Sequence, residues 1–165
     1  LLPLTSNDMK IYFASDHAGF GLKSQLMSFL RDKGFEVEDC GTTSFNDDDD
    51  FPDFVAPAAR KVAADKGSFG VVIGATGQGE AMAANRVSGA RAAVYYGDDY
   101  GAQTDSQGNI LSLLQSVRAH NDANILALGA RFVTESAARR ALQIFLDTPF
   151  SGDERHARRI AKIDG

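Results

Sequence analysis

Cysteine is nearly absent from this chain of 165 residues: Cys40 stands alone. A single thiol excludes an intrachain disulfide framework and any cysteine-based zinc cluster, and it fits a reducing compartment such as the cytoplasm. No apolar run approaches the ~20 residues that span a bilayer, so no membrane partner is expected. Positive charge is in deficit, with 17 Lys and Arg against 22 Asp and Glu and a net charge of −5. That balance argues against a nucleic-acid partner, which would normally require a basic surface; a local basic site for a small anion remains compatible with it. Internal repeats, heptads and low-complexity tails are missing too. The segment Leu1 to Asp8 has neither a basic n-region nor a small-residue cleavage site, and Met9 directly precedes the first strand-like run. Residues 1–8 are therefore expected to be an N-terminal extension, with the domain proper over 9–165.

What is present is globular. Hydrophobic residues make up 44% and charged residues 24%, enough for one core and too little chain for two. Short apolar runs alternate with helical patterns. Strands are expected at Lys10–Ser15, Phe35–Asp39, Phe69–Ile73, Ala90–Tyr96 and Ile125–Leu128. Helices are expected after Gly19, over Pro52–Ala64, Glu80–Asn85, Ile110–Ala119 and Glu135–Leu146, and from Ser151 onward. Alternation of this kind implies βαβ units: a three-layer α/β/α sandwich with a five-stranded parallel sheet, Rossmann-like. Such sheets bind ligands at the carboxyl ends of their strands. Two polar or glycine-rich segments fall there, Ser15-Asp16-His17-Ala18-Gly19 and Gly74-Ala75-Thr76-Gly77-Gln78-Gly79-Glu80.

The second segment can aim several backbone N–H groups into one small volume, as suits a phosphate or a developing oxyanion. Its spacing matches neither the dinucleotide fingerprint nor the phosphate loop ending in Gly-Lys-Ser/Thr. A glutamate follows the glycines where a triphosphate site would want a lysine. Glu80 could serve as general base beside an anion hole, provided burial offsets the helix terminus that favours its ionised form. Equally, the glycines could make a tight turn and leave Glu80 a solvated first-turn acid.

Other chemistry-bearing residues each have a plain alternative. Asp16-His17 could share a proton or hold a sugar hydroxyl, or Asp16 could cap the next helix. His120-Asn121 precedes the fifth strand, at the amino end of the sheet and away from Glu80, so a catalytic His120 would have to come from a neighbouring subunit; otherwise it is a helix-end loop residue. Arg155, Arg158, Arg159 and Lys162 fall on one face of a C-terminal basic helix, suited either to phosphate capture or to solvent. Arg131, leaving the fifth strand, is better placed for the crevice. Cys40 reads as a small buried residue. The run Asp47–Asp50 with Asp53 lacks the EF-hand pattern and reads as a solvated acidic loop.

These segments together resemble the type B ribose-5-phosphate isomerase family, within a wider group that includes galactose-6-phosphate isomerase subunits. The resemblance is carried by Ser15-Asp16-His17-Ala18-Gly19-Phe20, Cys40-Gly41-Thr42, Phe51-Pro52-Asp53, the glycine loop, Ala83-Ala84-Asn85-Arg86-Val87, Gly89-Ala90-Arg91-Ala92, His120-Asn121-Asp122-Ala123-Asn124, Leu126-Ala127-Leu128-Gly129-Ala130-Arg131 and Arg155-His156-Ala157-Arg158-Arg159, in family order from Met9 onward. Many members carry a cysteine as base at the start of the glycine loop, where this chain has Gly74. Another branch has a serine in the loop and a glutamate at its end, which map onto Thr76 and Glu80.

The resemblance implies an aldose–ketose isomerase acting on a phosphorylated small sugar through a cis-enediolate, without metal or organic cofactor. Glu80 would move the proton between C2 and C1, and the backbone of Ala75, Gly77 and Gly79 with Thr76 would hold the enediolate. Asp16 and His120 would open the sugar ring, with Asn121 orienting it. His17, Arg131, Arg155 and Arg159 would take the phosphate. It also implies a homodimer with shared active sites, or a tetramer. One departure stands out: between Arg91 and His120 the chain is about a dozen residues longer than the family pattern, around Tyr96 to Asn109, beyond what loops typically need. That stretch is expected to be a loop on the crevice side, able to cover the site or change the sugar accepted. A different four- to six-carbon sugar phosphate, or a non-catalytic sugar-phosphate-binding module on the same fold, are the competing readings.

Overall fold

The computed structural model describes residues 9–97 and 101–165; the expected extension over 1–8 lies outside them. Five strands form the central sheet: β1 (Lys10–Ser15), β2 (Glu36–Asp39), β3 (Phe69–Gly74), β4 (Ala92–Tyr95) and β7 (Ile125–Gly129). Their order is β2-β1-β3-β7-β4, every neighbouring pair parallel. The helices are α1 (Phe20–Asp32), α2 (Pro52–Ala64), α3 (Gln78–Ala84), α4 (Leu113–Asn121), α5 (Glu135–Asp147) and α6 (Glu154–Asp164).

Strand periodicity sorts the sheet into two apolar faces. Ile11, Phe13, Val71, Ile73, Leu126 and Leu128 meet Leu26 and Leu30 of α1, Leu114 of α4, and Leu142 and Phe145 of α5. The alternate residues Tyr12, Ala14, Val72 and Ala127 meet Val55, Ala59 and Val62 of α2 and Ala81 and Ala84 of α3. Every residue of β3 is buried, as expected of a central strand covered on both sides. Truncating any of the fully buried leucines, Leu26 for example, would cost about 2–5 kcal/mol. The expected three-layer sandwich is the architecture observed.

The departures lie between β4 and α4. Ile110 and Leu111 are not helical: they form β6 (Ile110–Leu111), paired antiparallel with β5 (Gln103–Thr104). The cause is a capping box. Ser112 Oγ accepts from the Gln115 N–H while the Gln115 side chain accepts from the Ser112 N–H, which fixes where α4 begins. The Asp105 carboxylate accepts the N–H groups of Gln107 and Asn109 and the Asn109 side chain, closing the hairpin turn. The expected loop over 96–109 is therefore in large part a built hairpin. It lies along α4, with Gln103 on Ser116 and His120; residues 98–100 fall outside the described set. No described helix is long and apolar enough to cross a membrane.

Candidate active site

The carboxyl ends of β1, β3 and β7 are sewn together by backbone hydrogen bonds. Gly74 pairs with Gly129 in register, and past the strands Ala130 N donates to Gly74 O (2.8 Å) and Arg131 N to Ala75 O (3.2 Å). On the other side Ser15 N donates to Gly41 O and Thr42 N to Ser15 O, each 2.8 Å. Lys23, buried in α1, reaches Asp39 Oδ1 (2.6 Å) and the Thr42 carbonyl, holding this edge to the helix. Gly77 supplies the left-handed turn into α3 at φ 77°, a conformation that disfavours any side chain.

Glu80 is buried at 3% exposure. Its carboxylate folds back over the end of β3, so that a Cβ placed on Gly74 would come within 1.7 Å of Oε1 and 2.2 Å of Cδ. Burial pushes its pKa up, the nearby Asp16 charge adds to this, and the N–H groups of Glu80 and Gly77 oppose it without prevailing. The competition between helix terminus and burial is thus decided for burial, and the solvated-acid alternative does not describe this side chain. The Phe51 ring packs against Gly79, where a Cβ would lie 2.7 Å from it. That contact closes the loop from the α2 side.

Asp16, 8% exposed, caps the turn after β1, its Oδ1 accepting from Ala18 N (3.0 Å) and Gly19 N (3.3 Å). The capping alternative is real, and it leaves the carboxylate beside Glu80. His17 is fixed by Asp49, from the run expected to be a solvated acidic loop: Asp49 Oδ1 accepts the His17 N–H at 3.1 Å and sits 2.7 Å from Nδ1. Asp49 is accordingly not part of a solvated acidic loop. Its side chain is 6% exposed, whereas Asp47, Asp48, Asp50 and Asp53 are exposed as expected. The Asp49 hydrogen bond, with the charges of Asp16, Asp49 and Asp47, raises the His17 pKa and favours the imidazolium form. Asp16, His17 and Asp49 bring one potential ligand atom each within 4.8 Å of one another. Asp49 Oδ1 is taken up by His17 and Asp16 Oδ1 by the backbone, while Asp49 Oδ2 is buried without a partner.

Thr76 is exposed and its Oγ1 accepts from Gln78 N (3.2 Å); Ala75 and Gly79 are half-buried and Gly77 buried around it. Arg131 is exposed at the rim, two residues past β7. Cys40 is half-buried, and burial raises its thiol pKa. Glu80, Asp16, His17, the 75–79 turn and Arg131 therefore converge within one chain. His120, Asn121, Arg155 and Arg159 do not. The Asn121 carbonyl accepts from Arg91 Nε (3.1 Å) at the entrance to β4, which is the amino end of the sheet. His120 stacks on His156 of α6 with ring centroids 4.3 Å apart, and Arg155 and Arg159 lie exposed on that helix. The His120–Asn124 turn is held tightly. Asp122 adopts φ 45° and pairs with Arg118 (2.8 Å) and Arg91 (3.3 Å), and Asn124 bridges Arg91 N and the Gly89 carbonyl.

A family model described as Ribose/Galactose Isomerase matches residues 11–163 of this chain. The chain belongs to the ribose/galactose isomerase family. Among its relatives, ribose-5-phosphate isomerase B of Mycolicibacterium paratuberculosis is 39% identical over 152 residues, covering 92% of this chain and 87% of that protein. The Mycobacterium tuberculosis protein of the same name is 38% identical, over 92% and 86%. A crystal structure of ribose-5-phosphate isomerase B from Mycoplasma genitalium with bound ribulose 5-phosphate superposes with a TM-score of 0.82 at 37% identity, covering 94% of each chain. The Clostridium thermocellum enzyme gives 0.81 at 40% identity, over 94% and 95%. The Glu80 carboxylate fills the volume that a Cβ at position 74 would need.

Proposed function

We propose that this chain interconverts ribose 5-phosphate and ribulose 5-phosphate, with Glu80 as the general base. The observation that carries the reading is the Glu80 carboxylate, buried at the carboxyl end of β3 with its pKa raised, in a chain whose relatives are ribose-5-phosphate isomerases B. A proton bound to carbon next to a carbonyl requires a base of raised basicity on one side and donors for the enolate oxygen on the other. In the open-chain aldose Glu80 takes the C2 proton, the C2–H electrons form the C1=C2 bond, and the carbonyl electrons move to O1. The backbone of Ala75, Gly77 and Gly79 with Thr76 stabilises the enediolate. Transfer of the O2 proton to O1 and return of the Glu80 proton to C1 complete the ketose, with no metal or organic cofactor taking part.

His17, held charged by Asp49, takes the phosphate together with Arg131, Arg155 and Arg159. Because His120, Asn121, Arg155 and Arg159 lie at the other end of their own sheet, they serve the crevice of a second copy, and the working unit is a homodimer with shared sites, in a cytoplasmic enzyme. Asp16 and His120 open the sugar ring. A coupled assay across tetrose, pentose and hexose phosphates, run with and without chelator, tests this. The expected result is highest kcat/KM for ribose 5-phosphate, insensitive to chelator. A hexose phosphate preferred over ribose 5-phosphate, or ligand-induced thermal stabilisation with no turnover of any sugar, would overturn it.

A further inference from the structure

His120 sits on α4 beside the β5–β6 hairpin. Gln103 of β5 places its amide nitrogen on Ser116 Oγ and 3.1 Å from His120 Nδ1. An amide nitrogen carries two hydrogens and accepts none. The Ser116 hydroxyl oxygen carries lone pairs and can accept one of those hydrogens. One amide hydrogen then goes to Ser116, and the second lies on the side of Nδ1, whose lone pair can accept it. A proton on Nδ1 would face it head-on.

The hairpin is well built to hold that amide in place. Gln103 pairs in register with Leu111, Leu111 runs directly into the Ser112 cap of α4, and the far turn is locked by Asp105. The groups facing His120 are Gln103 and Asp105 from the hairpin, Ser116 from its own helix and His156 from α6. His156 is buried, with Nδ1 3.0 Å from Ser151 Oγ.

We infer that Gln103 is a positioning residue that fixes His120 as the neutral Nε2–H tautomer, so that its Nε2–H is the group presented to the sugar. A neutral imidazole gives up its proton reluctantly but polarises an oxygen well. His120 then assists ring opening as a hydrogen-bond donor to the sugar ring oxygen, an assignment that rests on the role proposed for His120 above.

Nitrogen-detected NMR of the full chain labelled at histidine tests this directly, since only three imidazoles are present and each can be assigned by substitution. In the native protein His120 should show a proton on Nε2 and none on Nδ1. Gln103→Leu should bring a population protonated at Nδ1 and lower kcat for ribose 5-phosphate by about ten-fold, with KM changed by less than about two-fold. Gln103→Glu, which can only accept, should move the proton to Nδ1. A native spectrum with Nδ1 protonated, or a Gln103→Leu protein unchanged in both tautomer and turnover, overturns the inference. Full turnover in His120→Asn would instead remove the role of His120 while leaving the tautomer result standing on its own.

Discussion

Gly74→Ala is the smallest change that tests whether the position of the Glu80 carboxylate matters. The added methyl would come 1.7 Å from Oε1 and 2.2 Å from Cδ, whereas non-bonded carbon and oxygen keep more than 3.0 Å apart. The carboxylate must therefore retreat by more than about 1 Å, and a misplacement of that size can cost roughly 100-fold in rate, about 2.7 kcal/mol of barrier. Stability should change little, because the methyl occupies space the carboxylate vacates. A fall in Tm of less than about 4 °C is expected, corresponding to roughly 1 kcal/mol for a chain of this size. Coupled-assay kinetics and thermal unfolding of the same preparation give both numbers. Because Gly74→Ala and Glu80→Gln disable one and the same group, the double variant should be no slower than Glu80→Gln by more than about three-fold. Turnover of Gly74→Ala within about three-fold of the parent chain would refute the reasoning, as would losses that multiply in the double variant.

Three further expectations concern the neighbours and the assembly. Glu80 has a raised folded-state pKa, so its ionisation opposes folding: the charged form costs stability above the folded pKa, and the cost is absent below the unfolded value. Glu80→Gln should accordingly raise stability in urea melts at pH 7 and match the parent chain near the acid end of the carboxylate range; equal stability at both would contradict the burial argument. Asp49→Asn removes the carboxylate charge that favours the charged form of His17. KM for the sugar phosphate should rise several-fold at pH 8 and less at pH 6, where His17 protonates without help, while kcat holds; a pH-independent KM would count against the pairing. Mixing Glu80→Gln and His120→Asn chains after joint refolding should restore about a quarter of the parent activity if dimers mix randomly and sites are shared. No recovery above the separate variants would show that each chain works alone.

The layering was legible because β3, FGVVIG, has no polar position to expose and the flanking helices carry clean apolar stripes. Glu80 was legible as a residue after a glycine turn, but its burial was not: its carboxylate occupies the space left by the missing side chain at Gly74, which is silent in the sequence. Asp49 was hidden inside an acidic run because the contact with His17 spans 32 residues and leaves no periodic trace. The hairpin was hidden by its strands of two residues each, too short for alternation to register, while Ile110 and Leu111 happened to extend the helical pattern of α4. Only the Ser112–Gln115 capping box marked the true boundary, and it was readable in the sequence.

The most direct measurement is hydrogen exchange at the sugar carbons. Ribose 5-phosphate incubated with the chain in deuterated water should acquire deuterium at the carbons between which the proton moves, in step with isomerisation. Glu80→Gln should lose both exchange and turnover by at least ~100-fold, the lower bound for removing a general base. A Glu80→Gln protein that still isomerises and exchanges at close to the parent rate would contradict the assignment of Glu80 as the base.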